Sequence, residues 1–95
     1  MYTFESEIWK YPGENSWHFL TLPNEVADDI KELTDGQRRG FGSVRVIATI
    51  GTSRWSTSVF PDKRSGSYVL PVKKPVRKAQ GLDDGAMAVV KLELE

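Results

Sequence analysis

Cysteine is absent from this 95-residue chain, and histidine occurs once, at His18. Without thiols there is no disulfide framework, zinc knuckle or thiolate chemistry, and the usage fits a reducing compartment. No apolar stretch approaches the roughly 18 residues a membrane helix needs. No basic start leads into an apolar run of the signal-peptide kind. The expectation is a soluble, cytoplasmic protein without membrane association. One histidine and scattered carboxylates leave no transition-metal constellation. There is also no Gly-x-Ser-x-Gly elbow, no His-Glu-x-x-His pair and no Gly-Lys-Ser/Thr phosphate loop. No cofactor is expected. His18 lies between Trp17 and Phe19 on a predicted strand, a setting for a packed or edge imidazole rather than a general base. Asp28-Asp29 and Asp83-Asp84 are sequence neighbours, so their carboxylates diverge instead of sharing a proton. The chain reads as non-catalytic.

What is present is a single domain's worth of residues, near the size at which one core stands alone. Three Trp, three Tyr and four Phe suggest a core built on large rings. The formal net charge of zero conceals segregation. Residues 1–36 carry eight acids and two bases, residues 37–78 ten bases and one acid, and residues 79–95 four acids and one base. Blocks of this kind mark an interaction face, or halves of one fold that neutralise each other.

The apolar pattern is chiefly that of strands. Tyr2, Phe4, Ser6 and Ile8 alternate with Thr3, Glu5, Glu7 and Trp9. Turn formers at Tyr11–Ser16 and an extended run at Trp17–Leu22 complete a hairpin. After Pro23, the residues Val26, Ala27, Ile30 and Leu33 share a helical face, with Gly36 as the stop. Val44–Ile50 alternates most clearly. Gly51-Thr52-Ser53 turns it into Arg54–Phe60, which Pro61 is expected to end. A short strand at Tyr68–Leu70 follows, and Val90, Leu92 and Leu94 alternate in a last one.

Proline placement locates the second helix. Started at Pro71, it would hold Pro75 in its interior at a cost of about 3 kcal/mol. Started at Lys73 or later, it places Pro75 where the N–H has no helical acceptor anyway. The spacing therefore predicts a helix over Lys73–Gln80, closed by Gly81, with Val72, Val76, Ala79 and Leu82 on its buried side. Six strands and two short helices thus fall into two similar halves, each running strand, Leu-Pro, helix, glycine, strand. A hairpin cannot bury its face alone, so the halves should interlock into one closed, mainly β barrel over residues 1–95.

Four cations crowd the second helix. Lys73, Lys74, Arg77 and Lys78 fall on one face, where like charges at i, i+4 repel. They read as a site for an anionic small molecule, nucleic acid or an acidic protein surface, with Arg77 as the anchor because a guanidinium forks onto carboxylate or phosphate. Trp17 and Tyr68 would supply a wall, while the alternative places them, with Trp9 and Trp55, in the core. The competing reading is a solvated face balanced by the acidic segments. Arg38-Arg39 beside Gly40-Phe41-Gly42 is a second cationic stretch, able to form a backbone nest for an anion or to serve only as a connector.

The order Ser16-Trp17-His18-Phe19, Leu22-Pro23, Val44-Arg45-Val46, Ile50-Gly51, Thr57-Ser58, Gly66, Tyr68, Leu70-Pro71 and Val76-Arg77-Lys78 resembles a domain-of-unknown-function family. That family is often fused ahead of YdeI/OmpD-associated (bacteriocin-protection) domains. Gly66–Pro71, Arg77, Gly81-Leu82 and Gly85 also resemble the AbrB-type swapped-hairpin half-barrel. The resemblance implies a double-split, pseudo-twofold barrel with a helix at either end, and no known activity. AbrB-type DNA binders usually place an arginine after the glycine where this chain has Ser67, and both groups commonly place an aspartate where it has Ala86. The expected function is a non-catalytic binding module for an anionic ligand or acidic partner, with AbrB-like nucleic-acid binding as the alternative. Since one chain holds both halves, it is expected to be monomeric.

Overall fold

Alternation and turn chemistry resolve into six strands and two helices. The computed structural model describes residues 1–13, 17–34 and 42–95. Its elements are β1 (Tyr2–Lys10), β2 (His18–Thr21), α1 (Asn24–Leu33), β3 (Val44–Ile50), β4 (Ser53–Asp62), β5 (Ser67–Pro71), α2 (Lys74–Gln80) and β6 (Met87–Leu94). The expected stop at Gly36 and the pair Arg38-Arg39 lie outside the described residues. All strand pairs are antiparallel. They close in the order β1-β2-β5-β4-β3-β6, with β6 returning to β1. The fold is a closed six-stranded barrel, as the patterns predict. Ile8, Leu20, Val46, Val59, Leu70 and Val90 fill its interior with no exposed surface.

The two halves, β1-β2-α1-β3 and β4-β5-α2-β6, correspond residue by residue. Exchanging β1 with β4, β2 with β5 and β3 with β6 leaves the neighbour order unchanged. The registers obey the same exchange: Leu20 faces Leu70, and the pair Phe19–Pro71 swaps with Thr21–Val69. Trp9–Phe19 becomes Phe60–Val69. Leu22 N–H donates to the Tyr68 carbonyl at 2.9 Å, and Val72 N–H to that of His18, also at 2.9 Å. Each helix then opens alike, Ala27 N–H on Pro23 O and Arg77 N–H on Lys73 O. Position by position, His18 answers to Tyr68, Trp17 to Ser67, and Ala27 to Arg77.

Proline and glycine act on α2 as the spacing requires. Lys73 is its N-cap, Pro75 sits in the first turn, and Gly81 closes it at φ 63, ψ 38. That left-handed conformation suits glycine because it has no Cβ. The C-terminal end of α2 is held by Gln80, whose Nε2 donates to Thr52 Oγ1 at 3.1 Å and Ser53 Oγ at 3.0 Å. Its amide lies so close over the β3–β4 turn that a Cβ on Gly51 would meet Gln80 Oε1 at 2.1 Å.

Pro61 does not end β4, which continues to Asp62. Its partner Tyr68 turns its carbonyl to Leu22, on β2's side, so the Pro61–Tyr68 pair is not hydrogen-bonded. The nitrogen of Pro61 therefore faces the side where β3 has already ended, at Val44 opposite Val59. No ladder donor is missing there, which is where a strand tolerates proline.

One contact between barrel and helix sets a pH dependence. Tyr2 donates its hydroxyl to Asp29 Oδ2, tying β1 to α1. Burial first, then that bond and the carboxylate's charge, push the phenol up to about 12. An unfolded phenol ionises near pH 10 while the folded one keeps its proton. This contribution to stability is whole below about pH 10 and is lost as pH rises towards the folded value. Tyr2→Phe should flatten the loss of stability across that window, read from urea midpoints. An unchanged alkaline slope would assign the loss to other groups.

Candidate functional site

The two helices cap the barrel unequally. α1 drives Ala27 and Ile30 into the core, whereas no residue of α2 is fully buried. Val72 and Leu82 are buried and Val76 is half-buried, as the pattern predicts. Ala79 is exposed, because α2 lies too shallowly to cover it. The shallow seat leaves a cleft of about 380 Å³ lined by Trp17, His18, Pro71, Val72, Lys73, Lys74 and Arg77.

Arg77 is built into this cleft. Its Nε donates to the Val72 carbonyl at 3.2 Å, which fixes the guanidinium plane. The terminal nitrogens have no described partner. In the other half the corresponding carbonyl, Leu22 O, accepts from Ser67 Oγ at 2.8 Å. Ala27 stands where Arg77 would be and is only 2 % exposed. One end of the barrel is thus sealed by a serine and an alanine. At the other, Trp17 has left the serine's place and an arginine satisfies the carbonyl while presenting charge.

The cationic residues predicted from sequence separate on inspection. Lys73, Lys74 and Arg77 line the cleft together with Trp17. Lys78 is exposed on the same helix and is not part of the lining. Tyr68 forms no wall and takes the core reading instead: it is 1 % exposed, on the inward face of β5 that it shares with Leu70. No described carboxylate pairs with Lys73, Lys74, Arg77 or Lys78. The described ion pairs of the basic block lie elsewhere, where Arg45 pairs with Glu95 at 3.3 Å and Arg54 with Glu93 at 3.5 Å.

A second hollow adjoins the first. Tyr11, Pro12, Gly13, Trp17, Phe19, Phe60, Val69 and Pro71 line an apolar groove of about 540 Å³. Its rings pack on one another: Trp17 lies 6.4 Å from Phe19 at an interplanar angle of 14°, and Trp9 lies 5.2 Å from Phe19. Arg64 sits 5.9 Å over the Trp9 ring, within cation–π reach, and the two line a separate hollow with Thr21, Asp62 and Ser65. Sequence reasoning missed this groove, and missed His18 as part of the cleft. The groove assembles across β1, β2, β4 and β5 and the cleft across β2, β5 and α2, so only the strand registers could have shown them. Among the described residues, no cluster of His, Asp and Glu could hold a metal ion.

The chain is thus a closed six-stranded barrel with one sealed end and one cationic, ring-walled end. The chain belongs to the family described as Domain of unknown function (DUF1905), whose model matches residues 4–92. No curated protein matches it. Among the described residues, no helix is long and apolar enough to cross a membrane.

Proposed function

We propose that this chain is a non-catalytic binding module whose Arg77 cleft receives an anionic group, a carboxylate or phosphate. The observation that carries this reading is the difference between the two ends. The barrel closes its first end with Ser67 and Ala27, so Arg77, Trp17 and the open cleft at the second are not demanded by the fold. A guanidinium held at Nε also loses little freedom when its outer nitrogens fork onto an anion. Lys73 and Lys74 add charge beside it. The described lining holds cations, one imidazole and no carboxylate, a set suited to holding charge rather than passing a proton between acid and base. Closure of the sheet leaves no open edge to pair, which supports a monomer. The cysteine-free sequence supports a cytoplasmic setting. An AbrB-style grip through residue 67 finds no support, because Ser67 is 5 % exposed and engaged with Leu22.

Calorimetric titration with inorganic pyrophosphate and with citrate tests the proposal. Saturable binding is expected for at least one of them. Arg77→Ala should weaken it about tenfold or more, and Arg77→Lys should fail to restore it because an ammonium cannot fork. Equal binding by wild type and Arg77→Ala would remove Arg77 from the site, and no binding of either anion would remove the cleft.

A further inference from the structure

We infer that the cleft and the apolar groove are one site, and that its ligand is single-stranded nucleic acid, with phosphates on Lys73, Lys74 and Arg77 and bases on the neighbouring rings. This inference rests on the anion-cleft reading and names its ligand. Adjacency is the first argument: Trp17 and Pro71 line both hollows, so cations and rings meet at those two residues. Exposure is the second. Trp17, Tyr11 and Phe60 are 56 %, 49 % and 43 % exposed although the core beneath them is complete. Contiguous exposed rings of this kind mark a binding surface.

The internal correspondence supplies the third argument. The places of Tyr11, Trp17 and Phe19 are taken in the other half by Asp62, Ser67 and Val69. Those three places fold there without a ring, so Tyr11, Trp17 and Phe19 are not needed as aromatics by the barrel. The charged side chains Arg45, Arg54, Glu93 and Glu95 lie apart from this face, paired with one another. The ring-bearing face is thus a one-sided platform with Lys73, Lys74 and Arg77 along one border.

Chemistry then selects the occupant. A bare anion has no use for exposed rings, and an apolar peptide has none for three cations. A single strand offers a flat apolar face and a negative charge in every repeat, and stacking accepts any base. A duplex hides those faces in its own stack, so the rings would find nothing to cover. The described lining of both hollows contains no carboxylate to repel a phosphate.

Anisotropy of a labelled short oligothymidylate tests this, beside thymidine monophosphate, a duplex of equal length and pyrophosphate. The strand should bind more tightly than the mononucleotide and the duplex. With Lys73, Lys74 and Arg77 engaged, its affinity should fall about twentyfold between about 50 and 200 mM salt. Phe60→Ala, a ring that lines the groove and not the cleft, should weaken it about 5- to 150-fold while leaving pyrophosphate binding unchanged. Trp17→Ala, at the junction of the two hollows, should weaken it in the same direction. A strand no tighter than the mononucleotide, a duplex that binds equally well, or indifference to Trp17→Ala overturns the nucleic-acid inference. If pyrophosphate still binds in those cases, the anion cleft survives; if it does not, both readings fall. An acidic, proline-rich peptide that displaces the strand and binds more tightly overturns the inference in favour of a protein partner.

Discussion

Leu20→Ala and Leu70→Ala should each remove about 2–5 kcal/mol of stability, among the largest single losses in this chain. Both side chains have no exposed surface, and they face each other across β2 and β5 where the two halves meet. Truncation there deletes buried methyl groups and leaves a cavity that strands tied on both sides cannot collapse to fill. A small domain holds only about 5–15 kcal/mol in total, so either variant should shift the urea midpoint far with little change in slope. Because the residues are direct register partners, the double variant should depart from the sum of the singles. A loss below about 1 kcal/mol for either would mean that the barrel's centre is not packed as described.

Ser67→Arg should be comparably damaging, at about 3–5 kcal/mol, because it places an unpaired charge in a buried position. The variant also strips Leu22 O of the hydroxyl that satisfies it. Ser67→Ala removes only that partner and should cost about 1–3 kcal/mol. The contrast tests whether this position can carry the arginine that AbrB-type DNA binders place after the glycine. Here the position is a joint between β5 and the strand-to-helix turn of the opposite half. Thermal unfolding of the two variants separates the effects. A Ser67→Arg protein that folds normally and acquires duplex DNA binding would contradict the assignment of that residue to structure.

Much of this fold was legible because particular residues left few choices. Pro75 could occupy only the first turn of a helix, and Gly81 only its left-handed end, so α2 was located to within a residue. Alternation fixed which side of β1, β3 and β6 faces inward. The two-half grammar foretold a closed barrel. What escaped was whatever depends on the partner strand. Pro61 reads as a stop until the strand beside it is known to have ended. Tyr68 shares the alternating face of Leu70 and reads as core or as wall until that face is known to turn inward. Tyr11, Phe19, Phe60 and Val69 come from four different strands or their ends, and only the registers assemble them into a groove. The cationic cluster was visible in the chain as charge. Its division into Lys73, Lys74 and Arg77 at the cleft and Lys78 outside it follows from the shallow seat of α2.

The central claim is that the two ends of the barrel differ in function, one sealed and one open to an anion. An amide-resolved NMR titration with pyrophosphate at low ionic strength tests it most directly. Saturable shifts should gather at Trp17, His18 and Val72–Lys78 and leave the corresponding stretch from Leu22 to Asp28 still. Shifts spread evenly over the exposed lysines, or concentrated at the α1 end, would contradict it.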